Sequence, residues 1–432
     1  MIRKNYAGFA MGGLAQAVLG ASIVVPAVAH ADFISDSKAN VELRNFYFNR
    51  DFRSSTQAQQ SKQEEWGQGF ILKFESGYTD GTIGVGVDGI AALGLKLDSS
   101  PDRTGTGLLP KTADGDAPDD FSKGGATLKL RYEKNTLKMG TLTPKLPVVV
   151  TNDSRLLPQL FVGSAINSTQ LDGLNFDAGR LNQTNRRDSS NYEEMTVTTG
   201  GKKNITVRSG NTTNEFDYAG ATYNWTKNFS TGYHYGQLDD FYKQHYLTLG
   251  WTLPIAEGQS LKSDVRWAKS TDDGGSNVDN KAFNAMVTYN LGYHAFGVGY
   301  QKMSGDTGFA YINGTDPYLV NYIQILDFAN KDEKSWQARY DYNFAGIGIP
   351  GLTFMTRYVK GDNVDLLNAS GDDGKEWERD TDIAYVVQEG ALKGFGVKWR
   401  NATTRSDFAR NSASSNKADE NRLILSYTMP LW

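Results

Sequence analysis

No cysteine occurs among the 432 residues, so no disulfide can staple the fold. Histidine is nearly as scarce, at four, which leaves little material for a histidine-based hydrolytic site. His30 lies in the N-terminal segment, His245 shares strand parity with Leu247, Leu249 and Trp251, and His294 falls in a short turn. Only His234, alternating with Gly232 and Gly236, is a candidate general base. Beyond the N-terminus no run approaches the roughly 18 apolar residues that a membrane-spanning helix requires. Positive charge is not in excess either. A formal charge of −4 excludes a nucleic-acid binder by bulk charge.

The N-terminus reads as an export signal. Arg3 and Lys4 precede an apolar, Ala- and Gly-rich stretch from Tyr6 to about Ala29, and Ala29-His30-Ala31 supplies a small-x-small cleavage pattern. Residues 1–31 are therefore expected to be a cleaved signal peptide, with the mature chain starting at Asp32. Losing Arg3 and Lys4 takes the formal charge to about −6.

What is present is glycine (46), tyrosine (22), phenylalanine (21) and tryptophan (8), at a mean hydropathy of −0.49. That combination suits a β-barrel, whose wall is only half apolar because alternate residues face a wet lumen. The alternation is explicit. From Ile83 to Leu97 every odd position is apolar or small, while the even positions include Asp88 and Lys96. Trp336, Ala338, Tyr340, Tyr342 and Phe344 interleave with Ser335, Gln337, Arg339, Asp341 and Asn343. A soluble sandwich would also alternate, but this chain stops inside an aromatic-rich amphipathic strand, at Trp432.

The connections alternate in length. Short turns are expected near Gly77–Gly81, Lys134–Asn135, Thr226–Phe229 and Leu291–His294. Long polar loops are expected near Asp98–Lys123, Thr143–Pro158, Asn182–Glu215 and Ser304–Glu333. Only the connection near Leu238–Phe241 departs from the rule. Short periplasmic turns opposite long outer loops are a barrel signature, and 16–18 strands enclose an aqueous channel. The expected fold is all-β: one transmembrane antiparallel β-barrel of about 18 strands over residues 32–432, in a bacterial outer membrane.

Two motifs have bland explanations. Gly84-x-Gly86-x-x-Gly89 matches a dinucleotide fingerprint but lies within an alternating strand with no helix after it. Asp114, Asp116, Asp119 and Asp120 cluster in an outer loop without the spacing of an EF-hand, and a solvated acidic loop explains them better than calcium. No cofactor and no metal are expected.

The basic residues say more. Parity puts Lys129, Arg131, Lys262, Arg266, Arg339, Arg357, Lys398, Arg400 and Arg422 on the lumen side. Lys398 and Arg400, for example, alternate with Phe395, Val397 and Trp399. Positive charge inside a low-dielectric wall focuses field on passing anions, and arginine presents a planar fork to carboxylate. The bland alternative is that a wet lumen needs polar side chains of any kind.

Several segments resemble the OprD family of substrate-specific channels. They are Thr143-Pro144-Lys145-Leu146-Pro147 with Asn152 to Gln159; Glu333 to Tyr342; Gly348 to Tyr358 with Gly361-Asp362-Asn363; and Asn45 to Phe52. The likeness spans essentially the whole mature chain. It implies an 18-stranded barrel, a monomer or a homotrimer, narrowed by inward-folded loops three and seven. A ladder of arginine and lysine would guide a substrate's carboxylate, with no energy source coupled. Loop three and the final third are more similar to the branch taking cyclic or aromatic monocarboxylates than to the branch taking basic amino acids.

The residues expected to meet substrate are Arg131, Arg155 (in loop three), Arg266, Arg339, Arg357, Lys398, Arg400 and Arg422. The expected partners are small carboxylate solutes and outer-membrane lipid. A general diffusion pore, a basic amino acid or peptide channel, and a barrel hydrolase working through His234 are the alternatives.

Overall fold

The computed structural model describes residues 30–53, 60–367, 371–408 and 417–432. Most of the expected signal peptide, residues 1–29, lies outside them. Eighteen antiparallel strands form one sheet that closes on itself. The first strand, Lys38–Phe52, pairs with the last, Lys417–Pro430, in unbroken register from Asn40 opposite Pro430 to Phe52 opposite Ala418. Closure leaves no edge, so every backbone polar group in the wall can be satisfied within the sheet.

The period-two pattern assigns the faces. In the strand Lys334–Asn343, Trp336 is 43% exposed on the lipid side while Ser335 and Gln337 are 1% and 2% exposed on the lumen side. Outward residues such as Phe296, Val298 and Leu423 make the apolar band. Narrow turns join the strands at one end. At Glu257–Gly258, Gly258 takes φ +69°, a left-handed backbone that a hairpin of this length requires. The last strand ends at Pro430, and Trp432 turns back to donate Nε1–H to the Ser37 hydroxyl at 3.1 Å.

The core of the molecule is inside the barrel, built from outer loops that fold back. Loop three (143–159) makes a small hairpin, Lys145–Leu146 against Val149–Val150. Its Val148 and Val149 are buried with the inward wall residues Phe216, Tyr218 and Leu238. Leu156 and Leu157 pack with Leu108 and Leu109 of loop two (99–119) on Phe46, Phe48 and Ile71. Each such leucine, fully buried, contributes about 1.5–3 kcal/mol. The wall is shaved to admit the loop: a Cβ on Gly67 would come within 2.7 Å of Leu156 Cδ2, and one on Gly69 within 3.0 Å of the Leu156 carbonyl.

Loop seven (305–333) joins the same core through Phe309, Ile312 and Leu319. Loop four (186–215) was expected only as a polar outer loop. It too enters, burying Met195, Val197 and Ile205 and pairing Val197 with Ile312 of loop seven. Its apolar residues alternate only in two short pairs, Met195 with Val197 and Ile205 with Val207, separated by a polar stretch, which is why the sequence reads as loop.

Candidate functional site

Loop three lies between two cavities. One, of about 480 Å³, is lined by Asn152 together with Arg50, Arg186, Arg187, Lys203 and Tyr322. The other, of about 800 Å³, is lined by Thr151 and Asp153 with Lys73, Asp88, Lys138 and Lys145. The smaller is lined by more cations than acids, whereas the larger sets Glu75, Asp88, Asp153 and Asp177 against its three lysines.

The strands place the expected wall cations on the inward face, and most of them meet acids there, Arg131 and Lys262 being the exceptions among the described residues. Arg266 closes on Asp264 at 2.6 Å and Arg339 on Asp341 at 2.7 Å, each two residues away on the same strand face. Arg357 reaches across one strand to Asp380 at 2.7 Å. Lys398 and Arg400 share Asp382, at 3.2 and 3.0 Å. Arg131 instead lies over the Tyr78 ring, 4.1 Å from its centroid. Charge-assisted pairs of this kind hold side chains in fixed geometry. They also neutralise much of the positive field that parity alone suggested.

Arg422 corrects the expectation of a substrate contact. It faces inward but is 1% exposed, held by Glu420 at 2.5 Å and donating to the Gln324 carbonyl of loop seven at 3.1 Å. A group so enclosed cannot touch a passing solute. It fastens loop seven to the wall.

Arg155, expected to project into the pore, is also packed rather than free, at 6% exposure. Its guanidinium donates to the Thr106 carbonyl at 3.2 Å and to the carbonyl and hydroxyl of Ser154 at 3.0 and 3.2 Å. It lies 5.1 Å from the Phe48 ring centroid. Arg187 of loop four, lining the smaller cavity, donates to the same Ser154 hydroxyl at 3.1 Å. Among the described residues neither guanidinium makes an ion pair, although Glu420 and Asp316 are close enough to act on one or both through their charge. Burial, with Arg422 and Arg187 adding to it, pushes Arg155 well below the usual arginine range. An arginine keeps its proton regardless. The shift therefore expresses the electrostatic cost of a buried cation that lacks a direct ion-pair partner.

A chain of hydrogen bonds fixes this pair. Ser154 donates to Asn152 Oδ1 at 2.9 Å, and Asn152 Nδ2 donates to Asp316 Oδ1 of loop seven at 2.6 Å. The Tyr322 hydroxyl donates to the same Asp316 oxygen at 2.6 Å, and Asp316 N–H donates to the Val150 carbonyl at 3.0 Å. Burial raises Asp316 above the ordinary carboxylate range, against the pull of the Tyr322 hydrogen bond and the two arginines. Loops three, four and seven thus meet at one polar junction.

Sequence reasoning missed Arg44, Arg50, Arg187 and Lys203 as inward cations. Arg44 and Arg50 were legible, since both share inward parity with Phe46 and Phe48 on the first strand. Arg187 and Lys203 were not, because nothing in the sequence shows loop four turning inward. The remaining motifs resolve into wall. A Cβ on Gly86 would come within 2.4 Å of Lys129, and His234 packs over Gly220 with its Nδ1 unpartnered. Asp119 pairs with Lys96 at 2.9 Å, and among the described residues no acidic or histidine group is arranged to hold a metal.

Comparison with known proteins agrees with this architecture. The model of the outer membrane porin, OprD family, matches residues 31–431. Porin D of Pseudomonas aeruginosa is 37% identical over 422 residues, covering 92% of each chain. The crystal structure of Pseudomonas aeruginosa OpdQ superposes with a TM-score of 0.85 at 68% identity, over 93% of this chain and all of that one. That of Pseudomonas aeruginosa OpdK with vanillate gives 0.82 at 36%, over 93% and 100%. This chain belongs to the OprD family of outer-membrane porins, which are channels rather than enzymes.

Proposed function

We propose that the chain is a passive channel selective for small solutes bearing a carboxylate, narrowed where loops three, four and seven meet. One observation carries the reading: Arg155 and Arg187 converge on Ser154 without an ion-pair partner among the described residues, while most inward wall cations are paired. A solute carboxylate in the smaller cavity faces Arg187, with Arg186 and Arg50 also in the lining. Beyond the junction, Arg339, Arg357, Lys398 and Arg400 offer weaker, acid-balanced contacts, so a solute held briefly at the narrowing is not trapped below it. The vanillate in the OpdK structure is itself an aromatic carboxylate, consistent with the branch expected here.

Uptake into proteoliposomes tests the proposal with benzoate, benzyl alcohol and arginine as probes of similar size. The expected order is benzoate well ahead of the other two. Equal rates would mark a general pore, and arginine in the lead would mark a basic amino acid channel.

A further inference from the structure

The outward face carries a second set of cations with the opposite character. Six consecutive strands, from Gln259–Asp272 to Asp373–Val386, present Lys269, Lys281, Lys302, Lys334, Lys360 and Arg379 on the lipid side near the loop end. Among the described residues none of the six forms an ion pair. Lys334 reaches only the Asn363 amide oxygen, at 3.4 Å. Asp362 stands opposite Lys334 in register and Asp279 lies two residues from Lys281, yet neither acid closes to ion-pair distance on any of the six. The register makes this costly: Lys269 stands directly opposite Lys281, and Lys302 directly opposite Lys334. Like charges facing each other across a ladder destabilise it. The lumen side of these strands balances Arg266, Arg339 and Arg357 with acids and, among the described residues, leaves Lys262 as its one unpaired cation, so the imbalance is concentrated on the outward face.

The surface around the cations is ordered by polarity. Below them, aromatic rings follow the same register, with Phe283 opposite Trp267 and Trp336 opposite Tyr300. The Trp336 and Tyr358 rings stand 5.6 Å apart, and Trp377, on the loop side of Arg379, stands 5.6 Å from Tyr358. Farther toward the turns the wall is apolar, with Val287, Phe296, Val298 and Ile383 exposed. At about 4.8 Å between strands, the six cations span roughly 24 Å.

We propose that this face binds the phosphate groups of an anionic glycolipid in the outer leaflet, with its sugars on the aromatic rings and its acyl chains along the apolar wall. A second copy of this chain presenting the same face would bring like charge to like charge. A phosphorylated lipid supplies the missing anions at the right height.

The test is native mass spectrometry of the full protein in neutral detergent, with bisphosphorylated and dephosphorylated lipid A as probes. The wild type is expected to retain the bisphosphorylated form at about tenfold lower lipid concentration or better. The K269Q/K281Q/K302Q/K334Q variant should lose that preference while keeping its single-channel conductance. It should also melt in neutral detergent no lower than the wild type, because two repulsive pairs are gone. Should it fail to fold, K269Q/K302Q removes one member of each pair and is expected to halve the preference or more. Equal retention of both lipids by the wild type would overturn the proposal. So would an unchanged preference in the variant, or a lysine-dependent dimer without bound lipid.

Discussion

Lys398 and Arg400 close on one carboxylate, Asp382, at 3.2 and 3.0 Å. Two positive charges and one negative leave a single net positive charge on this part of the wall. Changes on the two sides of the pair should therefore move selectivity in opposite directions. Asp382→Asn is expected to raise anion over cation permeability. Arg400→Ala is expected to lower benzoate uptake by about tenfold, the scale of one charge-assisted hydrogen bond. Reversal potentials across a KCl gradient, read beside proteoliposome uptake, check both. A change of the same sign in the two variants would mean that the site acts through structure.

Arg155 invites a variant with two readouts. Arg155→Met keeps much of the side-chain volume over Phe48 and removes a buried, unpaired cation. Thermal stability should hold or rise while carboxylate preference falls. Arg187→Gln, at a half-exposed position lining the smaller cavity, should lower that preference with little effect on melting.

Loop three depends on the shaved wall beneath it. A valine at Gly69 would drive its side chain into the Leu156 backbone, and overpacking of this sort costs about 1–3 kcal/mol. Gly69→Val should lift the loop, raise single-channel conductance and erode selectivity. Deleting Pro147 to Asn152 should do the same more strongly. Planar bilayers measure both, and an unchanged conductance would show that the narrowing lies elsewhere.

Asp316 makes the junction sensitive to acid. Its carboxyl is raised by burial, so the folded chain holds this proton at pH values where an unfolded one, near about 3.9, would release it. The stability linked to this group is fully present below the unfolded pKa and is lost as pH rises through the folded one. As pH falls, Asp316 is neutralised before ordinary carboxylates and leaves the positive charge of Arg155 and Arg187 less opposed. Anion selectivity should increase over that interval in the wild type, and Asp316→Asn should abolish the step. Reversal potentials between pH 7 and pH 4 would follow it.

Export makes a separate prediction. N-terminal sequencing of the protein taken from the outer membrane should begin Asp32-Phe33, and a retained Met1 would contradict cleavage after Ala31.

The wall was legible because alternation is local: Trp336 and Gln337 declare their faces without knowledge of any neighbouring strand. Acid partners on the same strand were legible by the same rule. Asp264 with Arg266, Asp341 with Arg339 and Glu420 with Arg422 are all two residues apart, yet a count of cations alone passes over them. Pairs across strands, such as Arg357 with Asp380, depend on register, which one sequence does not carry. The junction was the least accessible part. Ser154, Arg187 and Asp316 come from three loops, and no periodicity governs how a loop folds back.

Joining Asn40 to Pro430 has a consequence for how the molecule must be made. Until the last strand docks, the first strand has only one neighbour, and the growing sheet carries two open edges that hydrocarbon cannot satisfy. No shorter piece of the wall is a smaller pore. Assembly therefore has to hold nearly the entire chain out of the bilayer, or shelter both edges, until its final residues arrive. Loss of that last strand should remove the protein from the membrane altogether rather than leave a leaky one.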